Sequence, residues 1–411
     1  MDFALPPELE ALRLRVRAFV DTHAIPAEAQ VLTEARAGSI TTLQALQVRA
    51  RSEGLWVPHL PPELGGLGLG FLGMCALFRE MGRSLIGARI FNCDAPDQGN
   101  MDLLLAHGSP AIRERWLHPL VQGQTTSAFC MTEPAPGAGA DPGNLSTTAR
   151  KVEDGSGEGW VIDGHKWYST GGRDAAFLIV MARTSDDPRH GASMFVVDRQ
   201  APGVEHLRDV PTMAPGLLQH HEAELRFTGV RVGPQDVLGQ IGEGFQLAQA
   251  RLVPARLTHC MRWLGLADRA LHMCRAYAAT RQSLGRALAR HQQVQVMFAN
   301  NAADIHAGNL MTWHCASLLA AGRDREARTF SSMTKTHVAR TLCRVMDDAI
   351  QIHGGLGYSE DMPFGLWYRI ARAARIADGP DEVHQVVVAR DFLLGRIDLL
   401  GGWPPGASVP S

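Results

Sequence analysis

Between residues 8 and 23 the apolar side chains Leu9, Leu12, Leu14, Val16, Phe19 and Val20 partly follow the spacing of one helix face, with arginines interleaved. The pattern predicts an amphipathic first helix whose basic face is solvated. Near Thr125 the texture changes. From Ser127 to about Arg231, helical runs give way to short β-prone pieces at 160–162, 176–182, 192–197 and 223–227, separated by Gly, Pro and Asp. Glu158-Gly159 and Asp163-Gly164 read as tight turns on either side of the first piece. From Gly244 onward helical patterning returns in long segments, 245–281, 292–321 and 325–352. The expected class is α+β, with an N-terminal helical domain over 1–125, a middle β-domain over 126–240 and a C-terminal helical domain over 241–400.

The end of the last long segment organises the rest. The apolar-rich run 345–352 stops at Gly354, Gly355 and Gly357, where missing Cβ atoms let the chain turn and let another group approach the backbone. A helix resumes around 366–376 and breaks at Asp378-Gly379-Pro380. Pro380 followed by Asp381 and Glu382 is how a new helix opens, with φ fixed at its first position and acids against the positive end. Asp378 therefore sits on a bend between two helices. Spacing alone leaves it open between a helix-start residue and an acid placed for chemistry.

Composition narrows the classes. A chain of 411 residues, 45% hydrophobic and 20% charged, can bury a substantial core and divide into two or three domains. Its formal net charge of −2 gives no long-range pull toward nucleic acid or an anionic membrane. The seven cysteines are widely separated, odd in number and without a C-x-x-C pair, which argues against a disulfide framework and a zinc site and for a reducing cytosol. No membrane-length apolar run occurs, and the start Met1-Asp2 with Pro6, Pro7, Glu8 and Glu10 is unlike a signal or transit peptide, so a cytoplasmic protein without a bound metal is expected. The loop 54–70 is rich in Gly and Pro but lacks the Lys-Ser/Thr of a P-loop.

The wording Q-I-H-G-G-x-G, then about twenty residues, then A-D-G-P-D-E-V-H resembles the C-terminal signature of the acyl-CoA dehydrogenase family, in the subgroup with aspartate where most members have glutamate. The loop 54–70 is similar to the family's G-L-x-x-L-x-P-x-x-x-G-G-x-G stretch, and 91–101 to a stretch of the aspartate subgroup whose task the sequence does not disclose. The resemblance covers nearly the whole chain. It implies a β-barrel-like middle domain, a C-terminal four-helix bundle, FAD as cofactor and Asp378 as catalytic base.

The remaining site residues follow from the same resemblance. Phe129-Cys130-Met131-Thr132-Glu133-Pro134, ending at Gly139-Ala140-Asp141, resembles the C-x-T-E-P-x-A-G-S-D fingerprint, which implies flavin or pyrophosphate contacts from Phe129, Met131, Thr132, Gly139 and Ala140. The loop is two residues longer than the common form, and Ala140 replaces the usual serine near pyrophosphate or thioester. Taken alone it is a turn-rich loop. Residues 164–172 resemble G-x-K-x-W-I-T-N-G and imply that Tyr168, Ser169 and Thr170 line the flavin, Thr170 offering its hydroxyl to N5; the plain alternative is a strand aromatic before a turn. Arg281, Leu284 and Gln292 resemble the arm that reaches the FAD of a neighbouring subunit, although a surface salt bridge would also suit Arg281. Gln351, Gly354 and Gly355 are implied at the adenosine end across that interface, with Pro380, Asp381 and Glu382 near it in their own subunit. Arg256 matches the arginine that approaches CoA, without the acid usual at Val253, and Gly379 lies beside the substrate.

The implied reaction is α,β-dehydrogenation of an acyl-CoA to a trans-2-enoyl-CoA. Asp378 takes the α-proton while the β-hydride goes to flavin N5, and hydrogen bonds to the thioester oxygen stabilise the enolate-like charge. The helix start should pull the Asp378 pKa down and burial push it up, burial prevailing once substrate excludes water. The implied partners are an electron-transfer flavoprotein or similar acceptor and further copies of the chain, as homodimer or homotetramer. Two other readings stand beside this one: a nitroalkane-oxidase-like flavin oxidase, and a non-catalytic flavin-bearing binding protein, the latter opposed by the near-neutral charge and the retained acid. A longer CoA-linked oxidase would need a further C-terminal domain.

Overall fold

A computed structural model describes residues 4–154, 157–187, 190–214, 216–218, 221–397 and 399. Helix α1 (Pro7–Phe19) passes through a π-turn (Val20–Ala24) into α2 (Ile25–Arg36), followed by α3 (Thr41–Ser52), α4 (Phe71–Met81) and the short α5 (Gly87–Ile90). Next come α6 (Asp97–His107) and two further short helices, α7 (Pro110–Ile112) and α8 (His118–Val121). The strands are β1 (Ser127–Cys130), β2 (Thr148–Asp154), β3 (Gly157–Thr170), β4 (Phe177–Arg183), β5 (Ala192–Asp198), β6 (Val204–Asp209), β7 (Glu222–Val232) and β8 (Val237–Leu238). Helix α9 (Gly244–Thr280) leads into a hairpin of β9 (Gln282–Ser283) and β10 (Arg286–Ala287), then α10 (Gln292–Ala320) and α11 (Asp324–His353). The chain closes with α12 (Gly355–Tyr358), α13 (Phe364–Ala373) and α14 (Asp381–Leu393).

The order helical, then sheet, then helical is the α+β arrangement that the periodicity predicts, with the long helices within a residue of their expected ends. Pro380 lies one place ahead of α14 rather than at its first position, and Asp381 and Glu382 fill the first turn.

Internal contacts divide the chain into two units, each built from separate stretches. One comprises Ala29–Gly68 and Arg89–Ala255. Its eight-stranded sheet runs β6-β7-β3-β2-β4-β5-β8, with β1 parallel to β4. Strand β4 is buried on both faces: Phe177, Ile179 and Met181 pack with Leu103, Trp116 and Leu117, while Leu178, Val180 and Ala182 pack with Ile162, Leu225 and Phe227. Cover on both sides is why 176–182 reads as an unbroken apolar run instead of an alternation.

The expected turns at Glu158-Gly159 and Asp163-Gly164 are not turns, because both pairs lie inside the long strand β3. Their glycines serve close approach. A Cβ on Gly159 would stand 2.6 Å from the Val232 carbonyl oxygen, and one on Gly164 2.3 Å from the Thr147 hydroxyl oxygen. Strands β1, β2, β6 and β8 add to the four predicted pieces. The residues of β6, V-E-H-L-R-D, are polar because it ends the hydrogen-bonded path as an edge.

The other unit comprises Met1–Glu28, Leu69–Ala88 and Arg256–Ser411. Helix α11 packs against α10, α13 and α14, and the core joins Leu264, Ala267 and Cys274 of α9 to Leu342, Val345 and Met346 of α11 and to Phe364 and Trp367 of α13. Helix α9 belongs to both units, changing from one to the other between Ala255 and Arg256. Among the described residues no helix is long and apolar enough to cross a membrane.

Candidate functional site

In the sheet-bearing unit the two predicted flavin motifs are joined. Trp167 N–H donates to the Thr132 carbonyl at 3.0 Å. Beneath this contact lies the fully buried Lys166, whose ammonium donates to the Met131 carbonyl (3.0 Å) and the Glu133 carboxylate (2.9 Å). Glu133 also accepts from the backbone of Ala138 (3.0 Å), Ser146 (2.7 Å) and Thr147 (2.8 Å) and from the Ser146 hydroxyl (2.6 Å). Burial pushes its carboxyl upward, but the Lys166 charge and these donors outweigh that and hold it well below the usual range. The acid of the T-E-P wording thus shapes the loop. The extra length between Pro134 and Gly139 is folded against it, since a Cβ on Gly137 would stand 2.3 Å from the Glu133 carboxylate. Gly139 and Ala140 are exposed, and the Gly139 backbone is open to approach.

Tyr168 takes a left-handed backbone (φ 50°) and leaves its ring 44% exposed, edge-on to Trp167. Ser169, the next residue, is fully buried beside the Cys130 thiol, which leaves its backbone rather than its hydroxyl for any cofactor. Thr170 donates its hydroxyl to Glu222 at 2.9 Å, so the group expected at flavin N5 has a carboxylate partner here. Burial raises the Glu222 carboxyl to about 7, against the opposing Thr170 hydrogen bond. Because the folded pKa lies above the unfolded value, this acid stabilises the fold below about pH 4.5, and that stability is lost as pH rises through about 7. Glu222→Gln is expected to remove a loss of roughly 3 kcal/mol across that window, read from urea unfolding at either end.

The stretch 91–101, unassigned from sequence, clamps the start of β1. Asp97, 1% exposed, accepts from Ser127 N–H (2.8 Å), the Ser127 hydroxyl (2.7 Å) and Arg89 (2.8 Å). Asn100 donates to Ser127 at 2.9 Å and accepts from Arg251 Nε at 2.8 Å, and the Arg251 guanidinium covers the Phe129 ring at 4.1 Å. Phe129 and Met131 are half-buried against the sheet core.

In the helical unit, Asp378 and Gly379 both adopt positive φ, 54° and 102°, and the Asp378 side chain is 22% exposed. Four side chains surround this bend. The Asp378 carbonyl accepts from Arg256 Nε (2.8 Å) and His384 Nε2 (3.1 Å), the Gly379 carbonyl accepts from Lys335 Nζ (2.6 Å), and His259 Nε2 stands 3.3 Å from Asp378 Oδ2. Asp381, expected near the adenosine, is 1% exposed and ion-paired with Arg375 (2.9 Å), Arg340 (3.1 Å) and the buried Lys335 (3.9 Å). Its carboxylate is engaged within its own unit, which leaves Pro380 half-buried and Glu382 exposed. Arg256, expected at CoA, is 8% exposed and commits its Nε to the bend.

Arg281, Leu284, Gln292, Gln351, Gly354 and Gly355 are all exposed in this unit. The β9–β10 hairpin turns through left-handed Leu284 and Gly285, and Leu284 is 91% exposed. Tyr277 near the end of α9 stacks on His353 at the end of α11 (4.3 Å), bringing the base of the hairpin and the glycines together. Sequence reasoning missed His259, Lys335 and His384. The available signals were the i, i+3, i+6 spacing of Arg256, His259 and Arg262 on one helix face and the final histidine of A-D-G-P-D-E-V-H.

Three family models match consecutive parts of the chain: Acyl-CoA dehydrogenase, N-terminal domain over 6–124, middle domain over 128–230 and C-terminal domain over 242–393. The chain is 37% identical over 401 residues to probable acyl-CoA dehydrogenase FadE2 of Mycobacterium tuberculosis, covering 95% of this chain and 96% of that one. It is 34% identical over 392 residues to human acyl-CoA dehydrogenase family member 11, covering 92% of this chain and 49% of that one, so it spans about half that relative's length. A solved structure named as an acyl-CoA dehydrogenase from Mycobacterium abscessus superposes with TM-score 0.89 at 37% identity, covering 96% of this chain and all of that one.

Proposed function

Because the chain belongs to the acyl-CoA dehydrogenase family, whose enzymes are oxidoreductases acting on CH–CH groups, we propose that it oxidises an acyl-CoA thioester to the trans-2-enoyl-CoA with FAD, using Asp378 as base. The observation that carries this reading is the Asp378 bend. A strained left-handed aspartate is held by its own carbonyl from Arg256 and His384, an arrangement far more elaborate than a helix start requires.

The residues fit a flavin. Open backbone at Gly139, Gly354 and Gly355, where a Cβ would meet nothing within 4 Å, suits phosphate and adenosine. Tyr168 offers an uncovered ring, and Arg281 an exposed guanidinium for phosphate oxygens. Bound FAD supplies the acceptor for the β-hydrogen and its electron pair. Asp378 supplies the rest: the α C–H bond breaks, its proton goes to the carboxylate, and its electrons enter the new double bond as the hydride departs. Arg256, His384 and Lys335 fix the carboxylate's anchor so that the shorter acid keeps its reach.

Anaerobic mixing with a panel of acyl-CoAs tests the reading. The purified protein should release FAD on denaturation, and one acyl-CoA should bleach its flavin. Turnover should then wait for an added acceptor such as an electron-transfer flavoprotein, whereas turnover with oxygen alone would indicate an oxidase. Absence of flavin, with no uptake of added FAD, would remove the reading. Light scattering at micromolar concentration should find a homodimer or homotetramer, because the exposed hairpin and glycine cluster suit a cofactor shared with a second copy; a flavin-loaded monomer contradicts it. The expected place of action is the cytoplasm.

A further inference from the structure

Strands β3 and β7 meet at one end through a hydroxyl and a carboxyl. Thr170, the last residue of β3, pairs in register with Glu222, the first of β7, and both are half-buried while their neighbours Ser169 and Ala223 are fully buried. Two backbone hydrogen bonds frame the pair, from Gly171 N–H to the His221 carbonyl (2.9 Å) and from Val210 N–H to the Glu222 carbonyl (2.8 Å). Between them the Thr170 hydroxyl and the Glu222 carboxyl stand 2.9 Å apart. A hydroxyl has one hydrogen to give, a carboxylate only accepts, and a carboxylic acid can also donate. While Glu222 is ionised, Thr170 must therefore give its hydrogen to Glu222.

The cations at this end of the sheet belong to other acids. Arg208 of β6 and His165 of β3 pair with Glu224, two residues along β7 (2.6 and 2.8 Å), and Arg173 pairs with Asp174 and Asp209 (2.9 and 2.7 Å). His206 and His221 also stand against Asp209, at 2.9 and 3.8 Å. Beside Ser169, burial pushes the Cys130 thiol of β1 up to about 11, clear of the neutral range. Among the described residues Glu222 is left with the Thr170 hydroxyl and no ionic partner. Burial without a counter-charge favours the neutral acid, so Glu222 changes state at about pH 7.

We propose that Glu222 is a positioning residue that decides where the Thr170 hydrogen goes: as the neutral acid it donates to Thr170 Oγ1 and frees that hydrogen for flavin N5, and as the carboxylate it takes the hydrogen for itself. The inference rests on the flavin reading above and deepens it. A donor aimed at the atom that receives a hydride draws electron density from it, so the neutral-acid state is the one primed for reduction. Only one proton is exchanged, between solvent and the Glu222 carboxyl; Thr170 keeps its hydrogen and turns it from one acceptor to the other. The coupling is reciprocal. An acceptor at N5 competes for the Thr170 hydrogen, which favours the neutral acid and raises the pH at which Glu222 titrates.

Holoenzyme carrying FAD labelled with ¹⁵N at N5 tests this without turnover. As pH is lowered from about 8.5 to about 5.5, the N5 resonance of the oxidised flavin should move upfield, as a lone pair does on accepting a hydrogen bond, with its midpoint at or above about 7. Glu222→Leu has no carboxylate to take the hydrogen and should hold the resonance at the wild-type low-pH position throughout. Thr170→Val has no hydrogen to give and should hold it at the high-pH position. A wild-type resonance that does not move, or two variants held at the same position, overturns the proposal. A second readout compares the wild-type chain loaded with FAD and with 5-deaza-FAD, in which a carbon replaces N5 and accepts no hydrogen bond. The infrared band of the neutral Glu222 carboxyl, assigned by its loss in Glu222→Gln, should titrate at higher pH with FAD, by roughly half a unit. Equal midpoints would show that Glu222 does not sense N5, and they overturn the proposal too. If the chain takes up no flavin, the cofactor reading itself fails; if it takes up FAD and the N5 resonance ignores pH, the Glu222 proposal falls alone.

Discussion

Asp378→Asn is expected to slow flavin reduction by the best acyl-CoA by at least ~10² to 10⁴, the range attributed to a general base. An amide keeps the shape of the side chain but has no basic oxygen to take an α-proton. The substitution leaves the bend intact for two reasons. Asparagine tolerates a φ of 54° as readily as aspartate does, and the Arg256, His384 and Lys335 contacts go to backbone carbonyls that the change does not touch. FAD content and acyl-CoA binding should therefore survive, which separates lost chemistry from lost structure. Asp378→Glu is the sharper probe. It restores the family's usual acid, yet glutamate is less at ease at positive φ, and its extra methylene carries the carboxylate past His259 Nε2, so the rate should fall here too. Stopped-flow bleaching decides both. An Asn variant that reduces its flavin at the wild-type rate would make Asp378 a turn residue, with the exposed Glu382 the next acid to examine.

What the sequence disclosed, and what it hid, follows from how local each signal is. The long helices α9, α10 and α11 were legible because apolar spacing and their ends lie within the segment itself. Strands β2 and β6 were not, because T-A-R-K-V-E-D and V-E-H-L-R-D carry many charges and only sheet pairing makes them extended. Gly159 and Gly164 misled for a related reason: a glycine needed for close approach looks the same in sequence as one needed for a turn. At the candidate site the bend at Asp378 was readable from Asp-Gly-Pro, but two of its supports, Arg256 and Lys335, come from α9 and α11, more than forty residues away in the chain. Asp381 shows the same limit, since nothing in the string A-D-G-P-D-E reveals that its second acid is buried among two arginines and a lysine.

That buried acid carries the second large effect. Asp381→Asn is expected to lower stability by about 3–5 kcal/mol, because it leaves the Lys335 ammonium inside the protein without its anion. Arg340 and Arg375 contribute little to that cost, since each is over one-third exposed or nearly so (47% and 35%) and can turn to water. Lys335 cannot, being fully buried between Asp381 and the Gly379 carbonyl. It must shed its proton or shift, and either response loosens the carbonyl that anchors Asp378. Stability and flavin reduction should therefore fall together in the single variant. Lys335→Met combined with Asp381→Asn separates the two roles. With the buried charge gone, much of the stability should return in urea unfolding. The reduction rate should stay low, because methionine cannot donate to Gly379. A double variant that recovers both would show that the ion pair serves the fold alone and that Arg256 and His384 suffice to hold the base.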